Sequence, residues 1–182
     1  MSGGKYISNR YPELGGHFFG VCALSSAGYM KALPPQIFAF IDDNFLKRTF
    51  GDSFSIWFKK EKALPSTRHS FEAQDQERHL FFIGEAFNLE EIEKEAHSMH
   101  YHKGAAGEPA RVALELYLKY GIDFPSKING FFSIIFWDAC RKSLVIYADR
   151  FGSPAPVYYS LQPYGLVFAS QLKILIRILG KA

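Results

Sequence analysis

Two apolar runs, GFFSIIFWD (130–138) and SLVIYADR (143–150), are separated only by Ala139–Lys142. They constrain the fold more than any other feature. Each has the length of a strand, is rich in β-branched and aromatic residues, and meets its neighbour across a short polar turn. That pattern predicts a β-hairpin. A second pair follows at once: PVYYS (156–160) and GLVFAS (165–170), with a turn at Leu161–Tyr164. The last third of the chain is therefore expected to be a strand meander, closed by a short apolar helix over Gln171–Leu179.

Further strands are expected at His17–Leu24 (HFFGVCAL), Phe54–Phe58 (FSIWF) and Leu80–Glu85. Pro34-Pro35 is read as opening a helix that runs to about Arg48, because proline is tolerated in a first turn. Residues 59–78 are charged and polar and read as a loop or an irregular edge. In NLEE, Asn88 stands at the N-cap and Glu91 at N3, the spacing of a capping box. The helix EPARVALELYLKY (108–120) carries Pro109 in its first turn. Val112, Leu116 and Tyr120 share its face, and Gly121 ends it. Strands in two groups with helices between them predict a layered α+β sandwich. Residues 1–16 are polar and Gly-rich and read as a flexible N-terminal arm; residues 17–182 read as one domain.

Composition narrows the function classes. Of 182 residues, 48% are hydrophobic and 18 are Phe, which suits a packed core and not disorder. The net charge of +3 is spread without a basic stripe, so no nucleic-acid partner is expected. Two cysteines, Cys22 and Cys140, make no disulfide framework and no CxxC. No apolar run reaches a membrane span, and the N-terminus lacks the apolar core of a signal peptide. The expected compartment is the cytoplasm.

Several residues invite a chemical reading. His97, His100 and His102 in HSMHYH would bind a metal if they converged, but neither Cys nor Asp accompanies them. SGGK (Ser2–Lys5) lacks the preceding strand that a phosphate loop needs. Cys22, among Phe18, Phe19, Val21 and Leu24, reads as a small buried hydrophobe. Asp149-Arg150 reads as the end of a strand that fixes the following loop. No Ser-His-Asp set, metal cage or carboxylate pair emerges, and no cofactor is expected in this domain.

From residue 79 onward the order of features resembles a known family. HLFFIGEAFN resembles the "NGEIYN" segment of class II glutamine amidotransferase domains. INGFFSIIFWD and ADRFGSPAPVYYS resemble the "LNGMFAFALWD" and "RDRLGIKPLYY" segments of asparagine synthetases, and FASQLKIL resembles their "FASEIKAL". The resemblance covers about half the chain. It implies a four-layer αββα sandwich of the N-terminal nucleophile hydrolase type. It also implies glutamine hydrolysis that feeds ammonia to an ATP-dependent synthetase domain or subunit. A second copy of the chain is a further candidate partner.

The activity of that family needs four features, and this sequence departs at most of them. An N-terminal cysteine attacks, with its own α-amine as base; the matching strand FFGVCA places Phe19 there. An Asn side chain and a backbone N–H hold the oxyanion; the matching residue is Ile83, which has no donor, while Gly84, Glu85 and Asn88 match. The Asp that binds the substrate amine falls on Pro109, beside Glu108. Arg68, in TRHSF, matches the Arg that holds the substrate carboxylate. The substrate-binding candidates are therefore Arg68, Gly84, Glu85 and Glu108. Loss of one oxyanion donor alone costs about 10²–10³ in rate. The resemblance thus implies a nucleophile-lacking form, like the N-terminal domains of β-lactam synthetases and lasso-peptide cyclases. Such a domain is structural or protein-binding within an amide-forming enzyme. Two alternatives stand beside it. Processing before Cys22 would expose a different N-terminal thiol and make an active glutaminase. A stand-alone binding protein would use the old glutamine pocket.

Overall fold

The computed structural model describes residues 14–23, 35, 41, 44–60, 70–96, 108–151 and 156–180. Their nine strands form two antiparallel sheets, and the chain divides into two compact units, one around each sheet.

The first unit holds β4 (Ser70–Gln74), β5 (Arg78–Ala86), β6 (Gly130–Asp138) and β7 (Ser143–Ala148), ordered β4-β5-β6-β7. β6 lies inside the sheet and is buried without a break from Phe132 to Asp138. This is why its sequence reads as one apolar run and not as an alternation. Two helices cover one face: α1 (Leu89–Ala96) and α2 (Pro109–Tyr120), followed by a 3₁₀ helix at Gly121–Lys127. Ile92, Val112 and Leu116 pack there against Leu80, Phe82, Ile134 and Phe136. Each such side chain contributes about 1.5–3 kcal/mol when fully buried. Strand alternation sends Phe81, Ile83, Ser133, Ile135 and Trp137 to the opposite face, where all are buried. α2 begins and ends as expected. Pro109 fills the first turn, and Gly121 takes φ 62° while its N–H donates to the Tyr117 carbonyl.

The second unit holds β1 (Leu14–Ala23), β2 (Phe45–Phe50), β3 (Phe54–Lys60), β8 (Tyr158–Gln162), β9 (Gly165–Ala169) and α3 (Leu172–Ile178). The sheet order is β2-β3-β1-β9-β8, so β1 is paired on both sides. α3 packs Ile174, Leu175 and Ile178 against Phe19, Val21, Trp57, Val167 and Ala169. Phe18, Phe54, Phe58 and Phe168 occupy the other face as a second aromatic group, also fully buried.

Several elements differ from the sequence expectations. Both C-terminal hairpins form, but they are not one meander: β6–β7 belongs to the first sheet and β8–β9 to the second. The helix expected to reach Arg48 does not; Phe45–Phe50 is the edge strand β2. The expected loop 59–78 contains the end of β3, the strand β4 and the start of β5. Residues 14–16, placed in the arm, begin β1. β7 stops at Ala148: the Asp149 N–H still donates in register to the Phe132 carbonyl at 2.8 Å, but the Phe132 N–H donates to the Asp149 carboxylate at 2.9 Å. Among the described residues no helix is long and apolar enough to cross a membrane.

Candidate functional site

The exit of β5 carries the segment that most resembled a catalytic motif. Ile83 is 1% exposed and lies between Ser70 of β4 and Ser133 of β6. Its side chain belongs to the buried face away from α1 and α2. At Gly84 the backbone turns to φ 122°, and a Cβ there would land on the Phe131 carbonyl oxygen. Gly130, on the facing strand, is under the reciprocal restraint: its Cβ would meet the Glu85 carbonyl oxygen. Two glycines therefore let β5 and β6 close on each other at this end. The signal for the second glycine was in the sequence as the Asn-Gly that opens GFFSIIFWD. Glu85 projects from the exit and is exposed.

Asn88 behaves differently from the capping-box expectation. Its backbone carbonyl accepts the N–H groups of Glu91 and Ile92, as an N-cap residue does. Its side chain instead crosses to the end of the 3₁₀ helix. Nδ2 donates to the Lys127 carbonyl at 3.0 Å, and Oδ1 accepts the Asn129 N–H at 2.8 Å. The Phe87 N–H donates to the Asn129 carbonyl at 2.7 Å. A local capping signal thus serves a long-range clamp on the segment that leads into β6. Glu108 occupies the N-cap of α2 without a side-chain capping bond, and Pro109 is buried behind it.

The second unit holds the other two candidates. Phe19 sits inside β1, opposite Trp57 of β3 and Ala169 of β9. It is fully buried, stacked on the Trp57 ring at 4.9 Å and met edge-on by Phe45 at 5.5 Å. Strand residues precede it, so its nitrogen is an amide and not a free amine. Cys22 is half-buried in the same strand, opposite Phe54 and Leu166. Burial pushes its thiol from 9.0 up to about 11, which opposes thiolate formation. Arg68 and the histidines 97, 100 and 102 lie outside the described residues. Among the described residues no group of three or more His, Cys, Asp or Glu could hold a metal ion.

Asp149, expected to fix the loop after its strand, does so through its carboxylate. Oδ2 accepts the Phe132 N–H at 2.9 Å and Oδ1 the Phe151 N–H at 2.6 Å. Sequence reasoning missed Trp57, the residue that seals position 19; only strand pairing reveals it.

A profile of the glutamine amidotransferase domain matches residues 47–177, well over half of the chain. The chain belongs to this family. Its curated relatives include "Asparagine synthetase [glutamine-hydrolyzing] 2" of Bacillus subtilis, 35% identical over 92 residues. That match covers 50% of this chain and 12% of the relative. "Asparagine synthetase [glutamine-hydrolyzing] 3" of the same organism is 27% identical over 97 residues, 53% of this chain and 16% of the relative. "Amidase chyE" of Penicillium rubens is 29% identical over 108 residues, 59% of this chain and 16% of that protein. The matched domain thus spans less than a fifth of the length of these relatives. The two antiparallel sheets, the first with two helices on a face and the second with α3, are compatible with the sandwich that the resemblance implies.

Proposed function

We propose that this chain is a glutamine amidotransferase domain without glutaminase activity, serving a structural or protein-binding role in an ATP-dependent amide-forming enzyme. In this reading the fold is an αββα sandwich of the N-terminal nucleophile hydrolase type, the domain needs no cofactor, and the compartment is the cytoplasm. One observation carries it: where the family reaction needs a thiol at a free N-terminus, residue 19 is a phenylalanine inside a paired strand, stacked on Trp57. Ile83 supports the same reading, because a buried aliphatic side chain offers an oxyanion nothing. The processed form is less well supported. A cut before Cys22 would fall inside β1, two residues before its end, and detach Phe18, Phe19 and Val21 from the core they fill.

The activity half is tested by incubating the purified chain with glutamine and measuring glutamate release, with mass spectrometry of its N-terminus alongside. The expected result is an intact terminus and release at the buffer rate. Enzymatic release from protein that retains residues 1–21 would overturn the reading. The partner half is tested by the neighbouring coding sequence, where an ATP-pyrophosphatase-type domain is the expected finding.

A further inference from the structure

The exit of β7 holds a cavity that the amidotransferase reading does not use. Its volume is about 430 Å³, within the roughly 300–1,000 Å³ of small-molecule sites. It lies wholly in the first unit, and Ile83, Gly84, Glu85 and Glu108 do not line it. Pro125, Ile128 and the buried Phe132 form apolar walls. Phe151 stands at the mouth, 77% exposed. Its ring meets Phe131 at 6.3 Å, and Phe131 meets Phe87 at 5.3 Å; all three are exposed. A contiguous exposed aromatic surface of this kind marks a binding site more often than a solvated face.

Opposite charges line the same cavity without pairing. Asp149 and Arg150 are neighbours in sequence, yet the carboxylate is turned to the backbone N–H groups of Phe132 and Phe151. Those two bonds fix its position and leave each oxygen further acceptor capacity. Among the described residues the Arg150 guanidinium and the Asn129 side-chain amide have no hydrogen-bond or ion-pair partner. A ligand with a carboxylate alone would meet the Asp149 charge. A ligand with an amine alone would leave Arg150 unused. A ligand that carries both groups next to an apolar body satisfies every wall.

We propose that this cavity binds a free apolar α-amino acid. The ammonium donates to Asp149, the carboxylate accepts from Arg150 and Asn129, and the side chain lies against Phe132 and Phe151. The proposal is independent of whether the domain hydrolyses glutamine.

The test is calorimetric titration of the whole 182-residue chain with L-leucine, L-methionine and L-phenylalanine. N-acetyl-leucine and leucinamide remove one charge each. At least one of the three amino acids is expected to saturate the protein in the millimolar range or below. Blocking either its amine or its carboxylate is expected to weaken binding about tenfold or more. Arg150→Ala is expected to weaken it by a similar factor with an unchanged melting temperature, since Arg150 is exposed, and Arg150→Lys to restore part of it. No binding of any of the three up to ~10 mM overturns the proposal. So does undiminished binding of the blocked forms, or by Arg150→Ala. The N-acetyl arm tests the amine contact without a substitution at Asp149, whose carboxylate also holds the Phe132 and Phe151 N–H groups.

Discussion

On the proposed reading, the exit of β5 and the middle of β1 are the two places where the catalytic residues would stand, and the structure builds them in different ways. At β5 the backbone is that of a working segment. Gly84 and Gly130 hold the close approach of two strands, Asn88 clamps the following turn, and only the side chain at 83 offers no donor. At β1 the surroundings are those of a core. The strand runs on through position 19, pairs on both edges, and stacks Phe19 on Trp57. A donor could return to the first region by one substitution. A nucleophile in the second would need a new chain terminus and the removal of an aromatic stack.

That contrast can be broken by experiment. Phe19→Ala should have the largest effect, about 3–5 kcal/mol of lost stability by urea unfolding, because a fully buried ring leaves a cavity. A loss below about 1 kcal/mol would mean that position 19 is not core. Gly84→Ala should follow at about 3 kcal/mol, since positive φ and a backbone carbonyl both oppose the added Cβ. A neutral result there would remove the claim that β5 keeps its architecture. Asn88→Ala should cost about 1 kcal/mol through two partly exposed hydrogen bonds. Faster amide exchange at Asn129, where the clamp is lost, would confirm the clamp over the capping role.

The smallest effect concerns pH. Burial lowers the pKa of His79 below its ordinary 6.5, partly opposed by the Asp75 charge. The unfolded chain therefore binds that proton more readily than the folded one. The stabilising contribution is present above pH 6.5 and lost as pH falls through the lowered folded value. Melting temperatures of His79→Gln should fall less steeply than those of the parent below pH 6.5. Parallel curves would sink the assignment.

What was legible in the sequence follows from what acts locally. Apolar strand lengths, the two hairpin turns, Pro109 and Gly121 depend on a few adjacent residues, and all were readable. β2 and β4 were not. FLKRTF and SFEAQ are edge strands, half-buried and rich in polar residues, so their partners and not their own pattern make them strands. The division of four consecutive strands between two sheets was equally invisible, because each hairpin satisfies its turn chemistry in either arrangement. At the candidate site, the apolar character of positions 19 and 83 was readable, and both side chains are buried. The Trp57 stack and the route of the Asn88 side chain depend on residues 38 to 41 positions away.

The position of β1 between β3 and β9 has a kinetic consequence. The Phe18 N–H donates to Ser170 Oγ at 2.9 Å across 152 residues of sequence. The first sheet uses strands between residues 70 and 148 and can complete itself while the rest of the chain is still being made. The second cannot close until residues 165–169 have left the ribosome, so β1 waits with one edge open while the whole first sheet is made. Folding should therefore show a fast phase from the first unit and a slower one from the second. The waiting edge of β1, lined by Phe18, Phe19 and Val21, is where aggregation should begin when that second phase is delayed.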